Sequence, residues 1–565
     1  MRRPISWMTH RGRALGGVRG AGLPNGWSVV VALLALLVAS PVVVVLSSVF
    51  TPSGDVWAHL AATVLPRYVR NSLWLLLGVG AGSLVLGVGL AWLVTMCRFP
   101  GRRVFEWALL LPMAVPAYIL AYTYTDFLQF SGPLQGTLRA VTGWGPGDYW
   151  FPNVRSLGGA IAMLTLALYP YVYLLSRAAF LEQSSSILEA SRSLGRGPWA
   201  SFFRVSLPLA RPAIVAGVAL ALMETLSDFG TVDYFGVQTF TTGIYRTWFG
   251  MGERVAAAQL AALLLLFVFA LLVLERWSRR RATYQQPTAS RYRRLSGYRL
   301  SGGQAALAFM ATLAPIAFGF LLPAGVLLAM TLRHTARSVS PQFWQYASNS
   351  LVLAVITALL AMLVALVMAY GVRIRPNAVT RVATRVASMG YAVPGSVIAV
   401  GVLMPLGLFD NALDGWMRAT FGISTGLLLS GTIAGLVFAY LVRFLAVSFG
   451  TVEAGLGKVT RSMDEAAMSL GHRSLRTLAR VHVPMLRGSL LTAVLLVFVD
   501  VIKELPATLI VRPFNFDTLA VRVYRLASDE RLVEASGGAL AIVLVGIVPV
   551  IVLSAAITRS REQSR

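Results

Sequence analysis

The chain has 565 residues, of which 56% are hydrophobic and only 13% charged, and its mean hydropathy is +0.70. Soluble domains carry about 25% charged residues, so this composition excludes a soluble enzyme or regulator and indicates a polytopic membrane protein. A formal charge of +26 would suggest nucleic acid in a soluble chain, but its placement along this one assigns it elsewhere.

Twelve apolar stretches approach the roughly 20 residues that a bilayer core demands. They lie at 27–50, 70–97, 107–129, 156–181, 209–230, 255–276, 304–331, 348–372, 383–409, 423–448, 487–506 and 533–558. The first follows Arg2, Arg3, Arg11, Arg13 and Arg19, but it is too long for the apolar core of a signal peptide and reads as an uncleaved helix. With the N-terminus inside, 35 of the 49 basic residues fall on the cytoplasmic side, and Lys503 lies within a span. This asymmetry sets the orientation and gives the basic excess to anionic lipid headgroups, not to nucleic acid. Cys97 is the only cysteine, so an internal disulfide or thiolate metal cluster is impossible.

The two halves repeat. Asn71-Ser72-Leu73 recurs as Asn349-Ser350-Leu351, and Ala114-Val115-Pro116 as Ala392-Val393-Pro394, both 278 positions on. Two bundles of six spans follow, 1–276 and 304–565, joined by a polar, basic cytoplasmic tether at 277–303.

Each half also carries a cytoplasmic loop of matched spacing, at 184–208 and 461–486. Glu189-Ala190-Ser191 is followed by Gly195 and Leu207-Pro208. Glu465-Ala466-Ala467 is followed by Gly471 and Val483-Pro484, 276 positions on. The spacing predicts two short helices, with a glycine ending the first in a left-handed turn and Pro208 or Pro484 setting the entry into the next span. The duplicated loop resembles the signature loop of the membrane subunits of ABC importers. That resemblance implies an all-α type I permease fold of about 12 transmembrane helices in two tandem six-helix bundles. It also implies that the loops are gripped by two copies of a cytoplasmic ATPase subunit. Ser191 for the second Ala and Val483 for Leu depart from the pattern and would make the two docking sites unequal.

No G-x-x-x-x-G-K-[ST] phosphate loop occurs, so the chain is expected to bind no cofactor itself, with ATP and magnesium on the partner ATPase. Residues 500–509, beginning Asp500-Val501-Ile502-Lys503-Glu504, and Arg512-Pro513-Phe514-Asn515-Phe516-Asp517 look like the matching stretch of fused ferric-iron importer permeases; Glu224 to Val232 is similar to its first-half counterpart. The resemblance implies a bacterial inner-membrane protein with both termini cytoplasmic, served by a periplasmic solute-binding protein, with ferric iron as cargo. Thiamine, phosphonates and other small solutes are carried by related permeases and remain alternatives, as does an ion-coupled carrier. A membrane-embedded enzyme would need convergent catalytic groups. His10, His59, His334, His472 and His482 are instead scattered, so no catalytic or metal residue is assigned.

Ionisable residues within spans are functional candidates because charge at bilayer depth is costly. Glu224 and Asp228 lie four apart, and Asp500 and Glu504 repeat them 276 positions on. The spacing predicts one helix face for each pair; either Lys503 moderates the contacts these acids offer a cationic cargo along the translocation path, or it neutralises Asp500 or a facing acid in a structural network that locks the two bundles together. The basic asymmetry itself is open to test. In a Cys97→Ser background, a cysteine at Arg280 should be labelled only from the cytoplasmic side and one at Trp144 only from the opposite side; an outward linker would break the twelve-span reading.

Overall fold

The computed structural model describes residues 26–183, 191, 193–195, 197–280, 297–374, 376–471 and 474–562. Among these, eleven helices are long and apolar enough to cross a bilayer, and a bent pair of helices makes a twelfth span. The fold is all-α in two tandem repeats.

The repeated tripeptides each do one structural task twice. The Asn71 and Asn349 side chains donate to the carbonyls of Gln238 (2.8 Å) and Asp517 (3.0 Å), tying the N-terminal part of a long helix to a loop late in its own half. Val115-Pro116 and Val393-Pro394 each follow a short 3-10 turn and hold extended backbone at the start of the next helix. A residue before proline is pushed out of the helical region, so both spans break there. In the first half the break is sharp: Arg102–Ala114 and Ala117–Thr142 meet at 89°. In the second half Ala378–Ala387 is a separate helix, and Gly395–Phe421 runs on unbroken.

Two boundaries read from hydropathy therefore shift by about ten residues. The span placed at 383–409 is the helix Gly395–Phe421, and that placed at 423–448 is Ile433–Leu456. The cause of the second shift is Asp410, a buried carboxylate that collects the N–H groups of Leu429 and Ser430 and the Ser430 hydroxyl. This fixes 429–430 as a turn ahead of the helix.

Prolines also shape the entries that the signature loops predict. Wide π-turns occupy Phe202–Ser206, Leu478–His482 and Ala317–Leu321, and each lies just ahead of Pro208, Pro484 or Pro323. Proline lacks an N–H, and its ring crowds the carbonyl four residues back; one widened turn relieves both.

The halves exchange their first helices. Gly26–Ser47 packs on Pro341–Ile374, Ala378–Ala387 and Gly395–Phe421 of the second half. In return, the Gly302–Arg333 span packs on the first half, with Phe309 edge-on to Phe105 at 5.1 Å and the Tyr124 hydroxyl donating to the Phe318 carbonyl at 2.6 Å. The end of the linker is not a free tether. Tyr298–Arg299 pairs in parallel with Cys97–Arg98, and Leu300 N–H reaches the Arg98 carbonyl at 3.1 Å.

The exchange depends on close backbone approach. A Cβ on Gly401 would collide with the Pro41 carbonyl of the first helix, whereas one on Gly407, in the same helix, meets nothing within 4 Å. Gly401→Val should cost about 1–3 kcal/mol through overpacking and lower the melting temperature in detergent, while Gly407→Ala, with open space at its Cβ, does not lower it.

Candidate functional site

The acids of the two halves sit where helices break. Leu207–Ser227 ends before Asp228, which is extended (φ −65°, ψ 134°). The Asp228 carboxylate accepts the N–H groups of Thr231 and Val232, both at 3.1 Å, and the Thr231 hydroxyl at 2.9 Å, and so caps the short helix Gly230–Tyr234. In the second half, Val483–Lys503 ends before Glu504 (φ −70°, ψ 128°). Glu504 accepts from Ala507 N–H (2.9 Å), Thr508 N–H (3.0 Å) and the Thr508 hydroxyl (2.6 Å), at the start of Pro506–Val511. The expected shared helix face is thus corrected, because one acid of each pair has left the helix and serves the next one.

Glu224, Asp228, Asp500, Lys503 and Glu504 nevertheless line one cavity of about 140 Å³, large against the roughly 10–15 Å³ that one water needs. Lys503 pairs with Asp500 at 2.9 Å. A sixth charged residue, Arg443, was not singled out by sequence and is counted there on the cytoplasmic side of its span. It is buried in the cavity wall, 3.5 Å from Glu504 and 3.9 Å from Glu224. Arg443 lies within the span read at 423–448, so the rule that picks out Lys503 applies to it as well; counting it with the cytoplasmic end hid that signal, and both of its partners lie far away in sequence. The Tyr118 hydroxyl, also on the wall, has no hydrogen-bond partner.

Further contacts tie the halves together beside the cavity. The Tyr524 hydroxyl donates to Asp233 at 2.6 Å, and Arg155 meets Glu530 at 3.2 Å. Burial first and the Asp233 carboxylate second hold the Tyr524 phenol well above its usual range, so it stays a donor.

The signature loops have the predicted turns. Gly195 (φ +74°) and Gly471 (φ +78°) are left-handed, and Pro198 opens the next short helix in the first copy. Leu207-Pro208 and Val483-Pro484 start the long helices. Glu465, Ala466 and Ala467 lie on Arg461–Ser469, with Ala467 buried and the other two exposed. Glu189 and Ala190 lie outside the described residues. Sequence reading missed two matched apolar pairs on these loops. Leu194 and Trp199 are 78% and 70% exposed, and their equivalents 276 positions on, Leu470 and Leu475, are 77% and 68% exposed.

The loops are anchored by different chemistry. In the second, Asp464 meets Arg373 at 2.8 Å and lies 2.7 Å from the buried His482 Nε2, off the line that a hydrogen bond needs. Arg373 also donates to the carbonyls of Leu456 (2.7 Å) and Val459 (2.8 Å). In the first, Phe202 packs on Trp92 at 4.8 Å and Trp92 on Phe180 at 5.7 Å.

Two stretches, 83–284 and 361–562, match the family described as "Binding-protein-dependent transport system inner membrane component". The chain belongs to this family. It is an inner-membrane permease, and the family implies an ATPase and a periplasmic binding protein as partners. The two matches start 278 residues apart, the offset of the tripeptide repeats. The chain is 25% identical to an Fe(3+)-transport system permease protein of Haemophilus influenzae, over 86% of its own length and 90% of the relative's. It is likewise 25% identical to the ferric transport system permease protein of Actinobacillus pleuropneumoniae, over 91% and 75%. The molybdenum transport system permease protein of Escherichia coli is 28% identical, over 34% of this chain and 85% of its own.

The left-handed glycines give a direct test of the loops. Among the described residues, a Cβ built on Gly195 or Gly471 meets nothing within 4 Å beyond its chain neighbours, so the cost of Gly→Val there is chiefly the backbone penalty, roughly 1–2 kcal/mol each. The double variant should fold and reach the membrane, yet lose ATPase association in co-purification; unchanged association would remove the loops from the docking site.

Proposed function

We propose that this chain forms the translocation path of an ATP-driven importer for ferric iron, handed over by a periplasmic binding protein. Duplication is the observation that carries the reading. Each half presents an exposed apolar pair beside a left-handed glycine, and exposed apolar clusters mark interaction surfaces. Two equivalent docking loops fit two copies of an ATPase subunit. In this reading both termini are cytoplasmic, ATP and magnesium stay on the partner subunits, and this chain moves solute without covalent chemistry.

The cargo assignment draws on the ferric relatives, which span most of the chain, and on the charge of the cavity. Four carboxylates against two cationic side chains suit a cation better than an oxyanion, and hard cations favour oxygen ligands. That balance also weighs against a molybdenum-type cargo, whose relative matches 34% of this chain. The binding protein selects and concentrates the ion; the cavity then needs only weak, transient oxygen contacts, and the pairing of Asp500 with Lys503 keeps them weak.

Glu224→Gln with Asp500→Asn removes one symmetric pair of negative charges and leaves both helix-capping acids in place. Uptake of ferric iron from the loaded binding protein into proteoliposomes should fall by about tenfold or more, equivalent to ~1.4 kcal/mol of lost stabilisation, with the complex still assembled. Normal uptake in the double variant would take these acids out of the path.

A further inference from the structure

The cavity acids come in repeat-related pairs, and the cations do not. The matched helix starts after Ser156 and Thr432, both N-caps, fix an offset of 276 in this part of the chain. At that offset the equivalents of Arg443 and Lys503 are Ala167 and Ser227, and both also line the cavity. The second half thus supplies both positive charges to a nearly symmetric set of carboxylates.

The two cations are held very differently. Lys503 is paired within its own turn at 2.9 Å. Arg443 is 93% buried, yet its contacts are long, 3.5 Å to Glu504 and 3.9 Å to Glu224, and its Nε has no partner. A guanidinium has five N–H donors in a fixed fork, and a buried charge left this loosely matched is costly. The two partners differ as well. Glu504 is fixed by three hydrogen bonds from the next helix, whereas Arg443 is the one ion-pair partner of Glu224 among the described residues. Glu224 belongs to the first half and Glu504 to the second, so this arginine is the charged bridge between halves inside the cavity.

We propose that Arg443 is a resident counter-cation that latches the two halves across the empty cavity and yields its place to a cationic cargo. The idea rests on the cavity being the translocation path. Coulomb attraction grows with ionic charge at a given distance, so a multiply charged ion outbids one guanidinium for Glu224 and Glu504, while a monovalent ion of bulk solvent does not. Released from Glu224, the halves can rearrange, and cargo binding shifts the population toward the conformation that hydrolyses ATP. Arg443 thereby determines specificity by setting how much positive charge opens the path.

The test is ATP hydrolysis by the whole complex in proteoliposomes, without binding protein and without iron. Arg443→Gln removes the latch and should raise this cargo-free rate about fivefold or more, the lower end of typical coupling between sites. Glu224→Gln leaves the Arg443–Glu504 pair intact and should raise it in the same direction, which keeps the test alive if Arg443→Gln does not assemble. A purely structural role for Arg443 predicts lost assembly or lower hydrolysis, never a gain. Cargo-free hydrolysis at the wild-type rate in assembled Arg443→Gln and Glu224→Gln complexes would overturn the latch. Lost uptake in Glu224→Gln with Asp500→Asn would then still support the path, so the two readings fail separately.

Discussion

Carboxylates held among apolar helices must be received by N–H groups or by cations, because an unmatched charge at that depth is expensive. The same place poses a second demand, since a helix that breaks inside a membrane frees backbone donors that have no water to turn to. Asp228 and Glu504 answer both at once. Each leaves the end of a long helix and accepts the first N–H groups of the short helix that follows. Breaks that would be costly alone become stable because the charge and the orphan donors satisfy one another, and the two breaks, at equivalent positions of the repeat, line one cavity.

Once two acids are committed to the backbone, the remaining charge defines the chemistry. Glu224 and Asp500 stay on their helices and face the cavity, and only the second half contributes compensating cations. A fully symmetric cage would carry either two extra bases or none. The first would repel a cation, and the second would leave four acids unmatched whenever the cavity is empty. A fused chain can keep the acids duplicated and the bases single, which a pair of identical subunits could not.

Much of this was legible in the sequence wherever the signal was a spacing. The repeat offset, the left-handed glycines and the four carboxylates that line the cavity follow from fixed distances along the chain, because both halves obey the same backbone constraints. Hydropathy alone did worse. It carried the spans through Asp228 and Glu504, although Gly230 and Pro506 follow closely and are the residues that punctuate helices. It also ran one span into the turn that Asp410 organises, because Leu427 to Leu429 are apolar whatever their backbone does. Arg443 was overlooked although it lies inside the span read at 423–448 and carries the same signal as Lys503; what no local pattern names is its partners, Glu224 and Glu504, from two other helices.

The signature loops show how equivalent positions can diverge while keeping one geometry. Both have the glycine turn, the π-turn before proline and the exposed apolar pair, yet Trp92 and Phe202 of the first half correspond to Tyr370 and Leu478 of the second. The first loop is seated by aromatic packing. The second is seated by Arg373, Asp464 and the buried His482, with the Tyr370 hydroxyl reaching the Ser474 carbonyl at 2.7 Å. Apolar contacts are strengthened by salts that are excluded from protein surfaces, whereas an ion pair is weakened by screening only to the extent that it is exposed. Asp464 and Arg373 are 23% and 16% exposed, so among the described residues the second loop rests on an ionic anchor where the first rests on aromatic packing. If the loops receive the ATPase as proposed, any inequality between them arises in the anchors behind the loops and not in the exposed apolar pairs they present.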